Sequence, residues 1–216
     1  MPSICSMTIV RDGEEYIEQC LRQIAPYVSR MKVAIDSRSK DRTREIVRSL
    51  SKDFPIEMTE LTISDPTKDL VTMRNTQLLF TEKWGFIVDA DEFHYDIASY
   101  TFTDADAYGF MCHAPWNMEE GHKASGRALI GRVFRNYGTL EWKGLFGKEK
   151  LFRDGQNVFD TAELLPYRYL HLTHLKHDPW REEMNQKRIA DGRALYRLPE
   201  RIISLLKDIH EKVPTL

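Results

Sequence analysis

The stretch WGFIVDADE, Trp84 to Glu92, decides how this sequence is read. A short apolar run leads straight into three carboxylates, Asp89, Asp91 and Glu92. An apolar run of this length without alternation reads as a strand buried on both faces. The acids that close it repel one another. Two carboxylates ~4 Å apart cost ~4 kcal/mol at an effective dielectric of ~20. They therefore require water, hydrogen bonds or a cation. If the strand continues through them, Asp89 and Asp91 point to the same side. Hard divalent cations such as Mg²⁺ or Mn²⁺ take oxygen ligands and commonly bridge carboxylates to phosphates. A solvated acidic turn is the alternative, because a bare D-x-D occurs by chance in many chains.

Upstream, the sequence places this strand at the end of an alternation. SICSMTIV reads as a first buried strand and RDGEE closes it. From Glu14 to about Val28, the residues Ile17, Cys20, Leu21 and Ile24 keep helical spacing. KVAI, Lys32 to Ile35, is a second strand ended by Asp36, and Thr43 to about Leu50 is helical again. IEMTEL is a third strand, Lys68 to about Lys83 a helix, and WGFIV the fourth strand. Strand and helix alternating in this way argue for a parallel sheet with helices on its faces. Ligands bind beyond the carboxyl ends of such strands. RDGE, DSRSKD and DADE all follow strands and should meet at one edge.

The second half changes character. AYGFMC, ALIGRVF, KEKLF and YRYLHL are strand-like pieces separated by glycines and loops, and are expected as antiparallel additions to the sheet. Asp178 and Pro179 open a helix that runs to about Leu198, and a last helix covers about Pro199 to Lys212. The expected class is α/β, in one domain over residues 1–216.

Composition bounds the function classes. With 216 residues and a net charge of −2, the chain carries no overall electrostatic footprint for nucleic acid. Three cysteines, Cys5, Cys20 and Cys112, lack metal spacing, and buried free thiols in a reducing compartment are expected. No apolar run reaches the ~20 residues that span a bilayer. The first residues, MPSICSMTIV, do not read as a signal peptide, so a cytoplasmic protein is expected.

The loop DSRSKDRT, Asp36 to Thr43, mixes Arg38, Lys40 and Arg42 with two aspartates. A carboxylate at a strand end accepts from ribose hydroxyls or a base N–H, and the arginines meet phosphate. Asp41 is expected to cap the following helix. In MRNTQ, Arg74 would lie near the same edge, although a solvated helix arginine is the ordinary alternative.

Taken in order, MTIVRDGEEYIEQCL, VAIDSRSKDRTREIV, MRNTQLLF and WGFIVDADE resemble glycosyltransferase family 2 on the GT-A fold. The likeness covers roughly residues 3 to 95, with weaker echoes to about residue 197. It implies a nucleotide-sugar-binding half over residues 1–95, and an acceptor and metal half with C-terminal helices over residues 96–216. It implies that Arg11, Asp36, Arg38, Arg74 and Asp89 hold a nucleoside-diphosphate sugar. It further implies that Asp91 binds Mn²⁺ or Mg²⁺ directly, with Asp89 on the ribose or reaching the metal through water. The bound cation would neutralise the diphosphate leaving group. Arg38 departs from the glycine common at its position.

Inverting transfer needs a base on the acceptor hydroxyl, and a carboxylate within hydrogen-bond reach suits that role. Glu149 is the assignment, on the echo of a histidine–glutamate step in which Lys148 replaces the histidine. Glu141, Glu119 and Glu120 are its rivals. In HLTHLKHD, His171, His174 and His177 precede Pro179, and the stretch reads as a strand end and loop. The resemblance implies one histidine near the metal, assigned to His174. Trp142 is assigned to stacking on an acceptor sugar.

The resulting expectation is a metal-dependent inverting glycosyltransferase acting on an unknown acceptor, whether saccharide, lipid, protein or modified nucleic-acid base. A nucleotidyltransferase or a degenerate nucleotide-binding module is the alternative. VRDGEE is a poor match to the glycine-rich phosphate loop of the former. Arg127, Arg132, Arg135 and Lys143 would supply a basic patch if the acceptor were DNA.

Overall fold

The computed structural model describes residues 3–62, 66–94, 100–113, 129–144 and 149–171. The alternation read from the first half is present. β1 (Ile4–Val10), β2 (Arg30–Asp36), β3 (Ile56–Leu61) and β4 (Trp84–Ile87) are linked by α1 (Ile17–Ile24), α2 (Thr43–Leu50) and α3 (Pro66–Gln77). β1 lies between β2 and β4, and β3 flanks β2, with all pairs parallel. The helices form because their apolar residues share one side. Ile17, Cys20, Leu21 and Ile24 of α1 are all buried, as are Thr43, Val47 and Leu50 of α2. Pro26 falls in a 3-10 turn after α1, so α1 stops short of the expected Val28.

The second half contributes β5 (Glu92–His94), β6 (Ala107–His113), β7 (Leu129–Arg135) and β11 (Glu163–His171) to the same eight-stranded sheet. Its order is β3-β2-β1-β4-β7-β6-β11-β5, and β7 runs antiparallel to β4. KEKLF does not join this sheet. Lys150–Arg153 is β9, which pairs with β8 (Leu140–Lys143) and β10 (Gln156–Asn157) in a separate three-stranded sheet. α3 ends at Gln77, short of the expected Lys83. Helices proposed beyond residue 171 lie outside the described residues.

Strand alternation divides the interior. Ile4 and Val10 of β1 pack with α1 and α2, whereas Cys5 and Met7 pack with Phe80, Phe134, Trp142 and Leu151 on the opposite face. The small sheet thus covers the face that α1 and α2 leave. Gly131 is required where it sits, because a Cβ there would run into the Phe159 ring. Cys5, Cys20 and Cys112 are free and buried, as expected.

Candidate active site

Three strand ends meet at one edge of the sheet. β1 separates β2 from β4, so Asp36 and Asp89 stand two strand spacings apart, roughly 10 Å across the sheet. The loops after β1 and β2 are sewn together. Asp12 N–H donates to Ser39 Oγ (2.8 Å), Gly13 N–H to Thr43 Oγ1 (2.7 Å) and Glu14 N–H to Asp41 Oδ2 (2.8 Å). In return, Lys40 N–H donates to Asp12 Oδ1 (2.7 Å) and Arg42 N–H to Glu14 Oε2 (2.9 Å). Asp12 adopts a positive φ of 48° to make this turn. Asp41 accepts from Thr43 N–H at 3.0 Å ahead of α2, but the N-cap position falls on Arg42, whose side chain makes no capping bond, so Asp41 is not the cap expected of it.

Asp36 is 0% exposed at the end of β2. Its Oδ1 accepts from Arg38 backbone N–H (3.0 Å) and Nε (3.2 Å), and its Oδ2 from Arg38 Nη2 (2.9 Å). Arg11 Nε stands 3.8 Å from the same Oδ2. Arg11, Asp36 and Arg38 therefore form one cluster.

The acidic stretch is a turn rather than a continued strand. β4 ends at Ile87, Glu92 N–H donates to Asp89 C=O (3.0 Å), and Asp89 N–H donates to Glu92 Oε2 (3.1 Å). The shared orientation of Asp89 and Asp91 thus does not come from strand alternation. Glu92 is 0% exposed and begins β5, whose register against β11 places it opposite His171. Gln23 of α1 pins this element, donating to Glu92 C=O (2.8 Å) and accepting from His94 N–H (3.0 Å).

Arg132 of β7 supplies the countercharge. Its Nη2 donates to Glu92 Oε1 and to Asp89 Oδ2 (3.4 Å), and its Nε donates to Tyr169 Oη (3.1 Å). Its guanidinium lies 5.0 Å from the Tyr169 ring centre. Arg74 Nη2 reaches Asp89 Oδ1 at 3.4 Å. His171 Nε2 is 3.4 Å from Asp91 Oδ1 and 4.0 Å from Asp89 Oδ2. Burial alone would raise the Asp89 carboxyl, but Arg132, Arg74 and His171 outweigh it and hold it well below the usual carboxylate range. Burial pushes Glu92 up to about 8, against the pull of Arg132. Burial lowers His171, yet its hydrogen bonds to Asp91 and Cys112 and the charges of Glu92 and Asp91 carry it up to about 10. The acids of one turn are driven apart, with Asp89 ionised and Glu92 inclined to keep its proton.

Ligand atoms of Asp89, Glu92 and His171 all lie within 4.8 Å of one another. Two carboxylates and an imidazole form a donor set that a Mn²⁺-like ion accepts, so these residues fit a divalent metal. Asp91 touches the imidazole that completes the set. His174 lies outside the described residues, as do Glu119 and Glu120.

Trp142 requires a correction. It is 6% exposed, packs in the second core with Phe159, and carries the Arg74 guanidinium 5.4 Å from its ring. That covered ring is no open platform for a sugar. Asn75 fixes it in place, donating to Trp142 C=O (3.0 Å) and accepting from its N–H (2.7 Å). Glu149 makes no hydrogen bond or ion pair among the described residues. It immediately precedes Lys150, which opposes Lys143 in the β8–β9 register, beside Trp142.

Among the described residues the basic patch is not assembled either. Arg132 is buried among the acids, Arg135 lies over Trp84, and Lys143 pairs with Glu141 at 2.9 Å. Arg127 lies outside the described residues. Arg132 was missed as a site residue although it carries a signal, a charge in the middle of the otherwise apolar stretch LIGRVF. Tyr169 and Gln23 carry none.

No family model matches the sequence, and no curated protein matches it as a relative. Among solved structures, the chain is similar to TarS of S. aureus, at 15% identity and a TM-score of 0.45 over 63% of this chain and 47% of that one. It is similar to mannosyltransferase PcManGT from Pyrobaculum calidifontis, solved in complex with GDP-Man and Mn²⁺, at 17% identity and a TM-score of 0.45 over 62% and 44%. It is also similar to the inositol-1-phosphate CTP transferase from T. maritima, at 6% identity and a TM-score of 0.38 over 53% and 55%. The chain spans about half the length of these proteins. No helix among the described residues is long and apolar enough to cross a membrane.

Proposed function

We propose that this protein is a metal-dependent glycosyltransferase that moves a sugar from a nucleoside diphosphate to an acceptor hydroxyl with inversion. The observation that carries this reading is the arrangement around Asp89. A carboxylate held ionised at a strand end stands beside Arg74, whose Nη1 is buried without a hydrogen-bond partner among the described residues. A buried guanidinium donor left unpaired is costly, and a phosphate oxygen is a fitting acceptor for it. The cluster of Arg11, Asp36 and Arg38 at the neighbouring strand end takes the nucleoside.

Asp89 and Glu92, with His171 and its partner Asp91, would hold a divalent cation. When bound, that cation supplies charge neutralisation for the diphosphate leaving group. Arg74 orients the phosphates, and Arg132 keeps the acids together when no other cation shares them. Glu149, at the mouth of the β8–β9 hairpin, is assigned to take the proton of the acceptor hydroxyl. The same charge balance bears on binding order. Arg74 and Arg132 already offset part of the acidic charge, so cation and diphosphate should bind together more strongly than either alone.

Replacing Asp91 by alanine tests the reading. Mn²⁺-dependent hydrolysis or transfer from a sugar nucleotide is expected to be lost, with nucleoside diphosphate as the wild-type product. Undiminished metal-dependent turnover would overturn it, and release of pyrophosphate would instead indicate nucleotidyl transfer.

A further inference from the structure

Asp36 and Arg38 make a closed pair whose chemistry differs from that of a free strand-end carboxylate. Arg38 spends its backbone N–H, Nε and one face of Nη2 on Asp36. Asp36 is wholly enclosed, whereas the Arg38 side chain remains 36% exposed. What faces the ligand edge is therefore the arginine. Its Nη1 makes no hydrogen bond among the described residues, and with the remaining N–H of Nη2 it forms a second planar fork. The base of that fork cannot drift. The loop that carries it is tied to the β1–α1 loop through Ser39, Lys40 and Asp41.

A planar fork of two donors matches two adjacent acceptors. Among nucleobases, guanine presents such an edge in O6 and N7, and arginine is its commonest specific partner. Uracil interrupts its two carbonyls with N3–H. Adenine sets an amino group beside N7 and beside N1. Cytosine has adjacent acceptors in N3 and O2, but lacks the N1–H and N2–H₂ donors of guanine. We infer that Arg38, held by Asp36 as a positioning residue, reads the base of the donor nucleotide and selects guanine. This rests on the nucleotide-sugar reading above and adds the identity of the base.

The test is a calorimetric titration with GDP, UDP, ADP, CDP and 7-deaza-GDP in the presence of Mn²⁺, for wild type, Arg38→Gln and Arg38→Lys. Wild type is expected to bind GDP roughly tenfold or more tighter than the other bases, and to lose most of that margin with 7-deaza-GDP, which lacks N7. Arg38→Gln should lower GDP affinity more than UDP affinity and so erase the margin. Arg38→Lys keeps a cation for buried Asp36 but lacks the fork, so it should remain folded and lose the guanine preference as well. Equal wild-type affinity for all four bases overturns the inference and leaves the donor reading standing. A uniform loss across bases in both variants places Arg38 on the phosphates and also overturns it. Failure of every nucleoside diphosphate to bind overturns the inference and the donor reading together.

Discussion

Arg132 is the most consequential single side chain in the site, and its removal has a calculable cost. It is 5% exposed, and it touches a carboxylate, Glu92, that is 0% exposed. At pH 9, where Glu92 is ionised in the wild type, removing Arg132 costs about 3–5 kcal/mol, because the other charge stays enclosed without compensation. Asp89 keeps Arg74 and is partly open to water, so most of the penalty falls on Glu92. Arg132→Met preserves volume while deleting the charge. At roughly 2–4 °C per kcal/mol for a chain of this size, melting should fall by roughly 6–20 °C. The penalty should also depend on pH. In the wild type the Glu92 carboxyl is already raised to about 8, and without Arg132 it rises further. Above pH 8 the wild type ionises Glu92 against Arg132, whereas the variant must keep a proton that the unfolded chain has released near its ordinary value of 4.5. The stability difference therefore grows with pH above 8, by up to about 1.4 kcal/mol per unit. Adding Glu92→Gln to Arg132→Met should recover much of the loss, which a double-mutant cycle measures. Thermal melts at pH 7 and pH 9 decide the matter. An Arg132→Met variant that melts within about 2 °C of wild type at both values would show that the pair does not hold the site together.

Three further outcomes follow from the same geometry. Gly131→Ala should destabilise by about 1–3 kcal/mol in chemical denaturation, since its methyl meets the Phe159 ring; an unchanged midpoint would mean that the ring moves freely aside. Asn75→Ala removes both hydrogen bonds that hold the Trp142 backbone, and should cost about 1–3 kcal/mol and weaken nucleoside-diphosphate binding by loosening Arg74 on that ring; wild-type binding would separate the two residues. Burial lowers His94 to about 3, so below pH 6.5 the unfolded chain takes up a proton that the native state refuses, and stability falls on acidification; His94→Phe should remove this limb, shifting the stability change between pH 7.5 and pH 5 by about 2 kcal/mol in favour of acid, and an identical slope in both proteins would count against it.

The parallel half of the fold was legible because its signals are local. Buried strands such as MTIV and FIV are short apolar runs, the helices repeat on one side, and each loop begins where the run stops. The second half lacks such a rule. KEKLF and ALIGRVF have similar patterns, yet one pairs with its own hairpin and the other inserts beside β4. Partner choice between antiparallel strands depends on residues far away in sequence, such as Trp84 opposite Arg135. The same limit applied at the site. Asp36 and Asp89 announce themselves at strand ends, whereas His171 gains its place by opposing Glu92 across β5 and β11. Trp142 was assigned to an acceptor sugar, but its ring is covered, and the asparagine that holds its backbone is 67 residues away.

The seam between the first two loops has a mechanical consequence. Residues Asp12–Glu14 and Ser39–Thr43 are distant in sequence, but each donates amides to side chains of the other, so neither can shift without breaking bonds on both. The ordering entropy of that wall is already spent when the chain folds, before a ligand arrives. A nucleotide would meet a template on this side rather than a hand that closes. The amides of Asp12, Gly13 and Lys40 should exchange with solvent at core-like rates although they sit in loops.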